Sequence, residues 1–278
     1  MPLDIVYDML ILDRKEAEEL LNVDLQVVGT EVTDLLGVVK YEPPISANLA
    51  GNVKGFLPKH ITKTDEERIQ NLWNLIYPKY KDVEFDFVEK LDGTSMSVAL
   101  DMDHGFSVCG RNYEFLPTTE NSLTKKAKEL KLDTTLQGIL DALNLRRVVL
   151  QGELIGNAIQ SNHYKLNSHE FRLFNVEIED LEGTKKHLTY TEIEQFKKWV
   201  DDDYSCPLLL CPIVYSNMVL PNTLDELLSL ADFKSLLNSK TNAEGLVVRP
   251  SKYNIIDPNI GRLSFKVISN KYLLKGGE

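Results

Sequence analysis

Val83, Phe85 and Phe87 alternate with polar neighbours and lead to Glu89-Lys90, a period of two that predicts a strand. Short apolar or alternating runs at 96–100 and 106–111 predict two more, and Asp101-Met102-Asp103-His104-Gly105 between them predicts a hairpin turn. Upstream the period is that of a helix. Ile69, Leu72, Trp73, Leu75 and Ile76 share a face, Thr64-Asp65-Glu66-Glu67 has the form of a capping box, and the helix is expected to end near Tyr77, before Pro78. Residues 123–145 read as helix-rich, with Leu136, Ile139, Leu140 and Leu143 periodic. Residues 147–152 and 171–178 read as strands, 191–200 and 223–237 as amphipathic helices, and 245–250 and 263–268 as closing strands. Strands interrupted by helices, without regular βαβ alternation, predict an α+β fold of mixed or antiparallel sheets.

The front of the chain is less regular. Ala17-Glu18-Glu19-Leu20-Leu21 is a short helical stretch, Leu25-Gln26-Val27-Val28 is largely apolar, and residues 41–58 carry prolines and glycines without a period. The expected organisation is an N-terminal extension over 1–45 and one larger domain over 46–278.

The formal net charge of −11 argues against a basic protein that coats nucleic acid. A local basic track remains possible on an acidic body, and Arg249, Lys252, Arg262, Lys266, Lys271 and Lys275 supply candidates. The acidic run Asp201-Asp202-Asp203 reads as a solvated face. No stretch is apolar and long enough for a bilayer, and Met1-Pro2-Leu3-Asp4 does not open a secretory signal. Three cysteines without CxxC spacing indicate a reducing interior, so an intracellular or cytoplasmic location is expected.

Lys90-Leu91-Asp92-Gly93 is the most informative segment. An amine on rigid backbone beside an acid is the arrangement of a covalent nucleophile, with Gly93 supplying a turn past the strand end. Alone this segment is weak, since most such matches are ordinary surface turns. It is followed in order by Gly110-Arg111-Asn112, Gln151-Gly152-Glu153-Leu154-Ile155-Gly156, Phe171-Arg172-Leu173-Phe174-Asn175-Val176, Ala243-Glu244-Gly245-Leu246-Val247-Val248-Arg249-Pro250 and Ser264-Phe265-Lys266-Val267-Ile268.

These six segments, over residues from about 30 to 275, resemble the nick-sealing RNA ligases of the covalent nucleotidyltransferase superfamily, in the branch with an N-terminal OB domain found in amoebae, bacteria and phages. The resemblance implies an adenylation domain with the nucleotide in a cleft between sheets, and ATP with Mg²⁺ or Mn²⁺. It implies joining of RNA 3′-OH and 5′-phosphate ends through lysyl-AMP and an adenylylated RNA end. Lys90 would be the nucleophile, its pKa lowered by desolvation and nearby positive charge. Lys266 would contact the α-phosphate. Arg111 would hold the nucleotide or the RNA phosphate, or else sit in a surface ion pair. Glu89 would lie at the adenine edge or remain a solvated carboxylate. Phe174 would stack on adenine or belong to the core. Asp92, Glu153, Glu244 and, less directly, Glu177 would surround the metal, mostly through water, since clustered carboxylates call for a cation.

Lys63-Thr64-Asp65-Glu66-Glu67-Arg68-Ile69-Gln70-Asn71 resembles a segment that faces the β- and γ-phosphates, which would give Arg68 and Asn71 a role in binding ATP. Ile268 stands where many relatives place a second lysine, and Lys271 would substitute for it. Residues 28–42 resemble the junction from the OB domain, and what precedes them is too short for a full barrel. The expected partners are RNA ends, as a nicked duplex, engaged by a monomer without a membrane. A DNA ligase or an mRNA capping guanylyltransferase shares the lysine chemistry, and an inactive nucleotide- or RNA-binding module is the non-enzymatic alternative.

Overall fold

A computed structural model of the protein describes residues 44–275. The expectations for the N-terminal helix, the apolar run and the OB junction lie outside the described residues. Those described belong almost entirely to the unit Ala47–Glu278.

The architecture is α+β. Strands β1 (Val53–Phe56), β3 (Thr94–Asp101), β4 (Gly105–Cys109), β5 (Tyr113–Phe115), β6 (Leu145–Ile155), β7 (Glu170–Asp180) and β8 (Lys185–His187) form the larger sheet. Their order is β1-β5-β4-β3-β6-β7-β8, every neighbour antiparallel, and the short β9 (Leu209–Leu210) adds to β7 in parallel. The smaller sheet has β2 (Phe85–Lys90) between β10 (Ile213–Met218) and β11 (Gly245–Pro250), with β14 (Phe265–Ile268) beyond β11. A two-stranded pair, β12 (Ile256–Asp257) and β13 (Gly261–Arg262), lies between β11 and β14 in the chain.

Helices α2 (Ser122–Glu129), α3 (Leu132–Leu143) and α4 (Tyr190–Tyr204) supply apolar faces to the larger sheet. Leu136, Ile139 and Val200 meet Val98, Val148, Leu150 and Leu173 there. On the smaller sheet, α1 (Ile69–Tyr80) and α5 (Leu224–Leu230) cover Phe85, Phe87, Leu246, Val248 and Phe265. Full burial of one such phenylalanine contributes about 2 kcal/mol, so these strand faces anchor the sheet that carries the motifs. Helix α6 (Asn270–Lys275) follows β14. Among the described residues no helix is long and apolar enough to cross a membrane, and Cys109, Cys206 and Cys211 are buried free thiols.

Several local readings are corrected. Thr64-Glu67 is not a capping box: α1 begins at Ile69, and Arg68 at its N-cap makes no side-chain cap. Thr64 Oγ1 instead lies 2.9 Å from Ser95 Oγ, and the Lys266 amide donates to the Glu67 carbonyl at 2.8 Å. Pairing of Arg68 with Lys266 holds the segment extended, so a tertiary contact overrides local helix preference. Pro78 lies inside α1, close enough to its end that only late bonds are affected. The 123–145 helix is two, divided at Lys131, whose φ of +50° is left-handed. Residues 223–237 are helical only to Leu230. The hairpin at 101–105 forms as expected, with Asp101 Oδ1 accepting from the Asp103 and His104 amides.

Candidate active site

Alternation on β2 sends Asp86, Val88 and Lys90 to one face and Phe85, Phe87 and Glu89 to the other. Asp86, Val88 and Lys90 line a cleft of about 520 Å³, and at the strand end Glu89 also reaches its wall. β11 pairs with β2 so that Gly245 is opposite Lys90, which places Glu244 beside the lysine. Across the cleft, Ser95 on β3 opposes Glu153 on β6. The two sheets thus bring together residues 90, 92, 153 and 244.

Gly93 joins β2 to β3, and its role differs from the expected turn. A Cβ there would stand 2.5 Å from the Leu154 carbonyl oxygen, so the position needs a bare backbone. Gly152 is similar, with a Cβ falling 2.5 Å from the Arg172 carbonyl oxygen.

Lys90 Nζ forms an ion pair with Glu244 Oε1 at 2.6 Å. The contact nearest to the amine is therefore acidic, where positive neighbours were expected; Lys266 also lines the cleft. Burial pushes the Glu153 carboxyl up to about 8; the Lys90 ammonium opposes this, and the Glu244 and Asp92 carboxylates add to it. Glu244 is raised by burial against the pull of Lys90. Asp92 is tied from two sides: Tyr272 donates its hydroxyl to Oδ2 at 2.8 Å, and His163 Nε2 lies 2.9 Å from the same oxygen. The Asp92 amide donates to the Tyr164 hydroxyl at 2.7 Å. Three carboxylates with oxygen donors and one paired ammonium fit a hard divalent cation.

Glu89 is buried rather than solvated. Its Oε2 accepts from the Leu236 amide at 2.9 Å, Oε1 has no partner among the described residues, and burial raises its carboxyl. Phe174 lines the cleft, with the Arg249 guanidinium 5.9 Å from its ring centroid. Arg249 also donates to the Phe174 carbonyl and to Glu66 Oε1, each at 2.7 Å. Arg68 and Arg111 line the cleft, and Arg111 pairs with Asp65 at 2.8 Å.

Three expected residues stand elsewhere. Asn71 is not among the cleft-lining residues, and its amide donates to Glu67 Oε1 at 2.5 Å, because Arg68 precedes the helix and shares no face with it. Lys271, in the first turn of α6, is exposed and is not among the cleft-lining residues, with Nζ 3.9 Å from Asp232 Oδ2. Ile268 lines the cleft without a second lysine to accompany it. Glu177 is buried outside the lining; it accepts from Thr62 Oγ1 at 3.1 Å and lies beside Arg147 and His187. Of the basic track, Arg249, Arg262 and Lys266 reach the cleft, whereas Lys252 is exposed and paired with Glu84.

Sequence reasoning missed the Glu66–Arg249 pair, the bond from Arg262 to Asn175 and the ties on Asp92. Arg262 donates to Asn175 Oδ1 at 2.8 Å, and burial together with Arg249 pushes it down to about 9. Val247 and Arg249 share a face of β11, which is a signal available to alternation alone. Nothing local marks His163 or Tyr164.

Antiparallel sheets meeting over a lysine and a set of carboxylates define a nucleotidyltransferase fold. Residues 84–268 match the family model described as RNA ligase. A Naegleria gruberi RNA ligase mutant solved with ATP and Mn superposes with a TM-score of 0.70 at 37% identity, covering 96% of this chain and 72% of that one. The same enzyme solved with PPi gives 0.68 at 36% identity over 96% and 72%. A further mutant, with AMP and Mn, gives 0.68 at 36% over 93% and 70%. No curated protein matches the sequence. The chain belongs to the RNA ligase family, whose enzymes join RNA with ATP.

Proposed function

We propose that this RNA ligase uses ATP with Mn²⁺ or Mg²⁺ and works through a lysyl-AMP intermediate. The observation that carries the reading is Lys90 Nζ at the strand end, facing the cleft beside Glu244 with Glu153 and Lys266 around it. In the first step the neutral amine attacks the α-phosphorus. An N–P bond forms, the bond from that phosphorus to the bridging oxygen breaks, and pyrophosphate leaves. The amine first gives up its proton, and Glu244 is within reach of it. Lys266 and Arg68 would neutralise the departing charge.

In the second step an RNA 5′-phosphate oxygen attacks the adenylyl phosphorus, the N–P bond breaks and the lysine regains a proton. The 3′-OH then attacks the RNA phosphorus, AMP leaves with the pyrophosphate linkage broken, and the hydroxyl proton passes to solvent. Arg111 would hold the phosphate of the RNA end.

Phe174 and Val247 line the place where a base would stack. The unpartnered Glu89 Oε1 suits a donor such as the exocyclic amine of adenine. Asp92, Glu153 and Glu244 would hold the cation, which supplies charge neutralisation on the phosphates when bound. The Naegleria gruberi enzyme solved with ATP and Mn, with AMP and Mn and with PPi supports the same ligands for this chain. The expected RNA is a nicked duplex met by a monomer inside the cell, with residues 46–278 as the ligase domain.

Mass spectrometry after incubation with ATP and Mn²⁺ tests the reading. An AMP-sized gain on the peptide containing Lys90, absent with GTP and absent in Lys90→Ala, is expected. A gain that survives Lys90→Ala, or no gain in the parent protein, overturns it.

A further inference from the structure

We propose that His60, Asp101 and His104 form a site for a late first-row divalent cation of the zinc class, separate from the cleft. One ligand atom from each residue lies within 4.8 Å of the other two. Two imidazoles and one carboxylate, with water completing the shell, are donors that favour zinc over magnesium.

The site stands at the opposite end of β3 from the cleft. Thr94 lines the cleft and Asp101 closes the strand, about 23 Å along an extended chain. His104 Nδ1 lies 2.9 Å from Asp101 Oδ1, and the His60 and His104 rings stack with centroids 4.3 Å apart. An independent observation points to a ligand. His60 Nε2 is buried and has no hydrogen-bond partner among the described residues, an unfavourable state for a ring nitrogen unless something binds it.

The carboxylate of the set is held in place. Asp101 Oδ2 accepts from Arg147 Nη1 at 3.2 Å, and Oδ1 accepts from the Asp103 and His104 amides, which fix the carboxylate. Burial and the neighbouring His104 hold His60 below the ordinary imidazole value. Arg147 opposes a cation electrostatically, whereas Asp101 and Glu114 favour one. His104 is exposed, so its ring can tilt about the Nδ1–Oδ1 contact to bring that nitrogen's lone pair onto a shared ion. The ion would take the place of the proton between Nδ1 and Oδ1, the neutral imidazole shifting to its Nε2–H tautomer as Nδ1 ligates.

The position gives the site a consequence. His60 precedes Thr62, whose carbonyl accepts from Gln151 at 2.7 Å, and the same segment supplies Thr64, Asp65, Glu66 and Arg68 to the cleft. A cation would fasten this segment to the β3–β4 hairpin.

The test is titration of the full chain with Co²⁺ followed by Zn²⁺ competition, read by visible absorption, with Zn²⁺-dependent Tm measured in parallel. The expected result is an intense band of nitrogen-ligated cobalt at about one ion per chain, displaced by Zn²⁺, and a rise in Tm with Zn²⁺. His104→Ala, at an exposed position, should lose both while keeping Mn²⁺-dependent adenylylation. His60→Gln should also lose the band. No band in the parent protein, or a band retained in either variant, overturns the proposal.

Discussion

Tyr272 reaches back across 180 residues of chain to donate its hydroxyl to Asp92 Oδ2 at 2.8 Å. The bond connects α6 to the loop that follows the lysine. Tyr272→Phe keeps the ring and removes the donor. A hydrogen bond to a charged group is worth about 1.5–3 kcal/mol, so single-turnover adenylylation should slow by roughly tenfold if the bond orients Asp92 for the reaction. An unchanged rate with lowered Tm would reduce Tyr272 to a packing contact.

Phe174 offers a flat face in the cleft, backed by Arg249. Phe174→Ala should raise KM for ATP by about tenfold, since stacking on a base contributes about 1–3 kcal/mol. Phe174→Tyr should restore it and Phe174→Leu should not. Rescue by leucine would show that only bulk is required.

Gly93→Ala places a methyl group 2.5 Å from the Leu154 carbonyl oxygen and 2.7 Å from Ile155 Cγ2. Overpacking of this kind costs about 1–3 kcal/mol, and the shift would fall on the loop carrying Asp92. Denaturant unfolding should show that loss, with adenylylation falling more steeply than stability. A neutral substitution would mean that the loop has slack.

Asp101 provides a pH dependence. Burial would raise its carboxyl, but hydrogen bonds from His104, from the Asp103 and His104 amides and from Arg147 outweigh burial and hold it at about 2. Its folded value lies below the unfolded one near 3.8, so the stability it contributes is full above about pH 4 and is lost as pH falls toward 2. Asp101→Asn should therefore cost on the order of 1–2 kcal/mol at pH 7 and much less near pH 2. Unfolding with chelator present, at both pH values, checks this.

What was legible in the sequence followed short-range pattern. Alternation located β2, and the resemblance, rather than any periodicity, singled out Glu153 and Glu244 in segments that the sheets then bring together with Lys90. It failed where distant chain decides local shape. The Thr64–Glu67 segment has helix-cap chemistry but is held extended by β14, and Lys131 interrupts an otherwise periodic helix by a left-handed backbone. Glu66 and Arg249 are 183 residues apart, so no window along the chain contains their pairing. Glu177 and Lys271, expected at the site from their nearness to the motifs, find partners outside the cleft.

The back-to-back placement of Lys90 and Glu89 makes the ladder between β2 and β11 an indexing device. A slip of one residue would withdraw the amine from the cleft and present a carboxylate in its place. Phe85 and Phe87, seated on the hidden side of the same strand, thereby act as the detent that keeps the reactive group at the right notch.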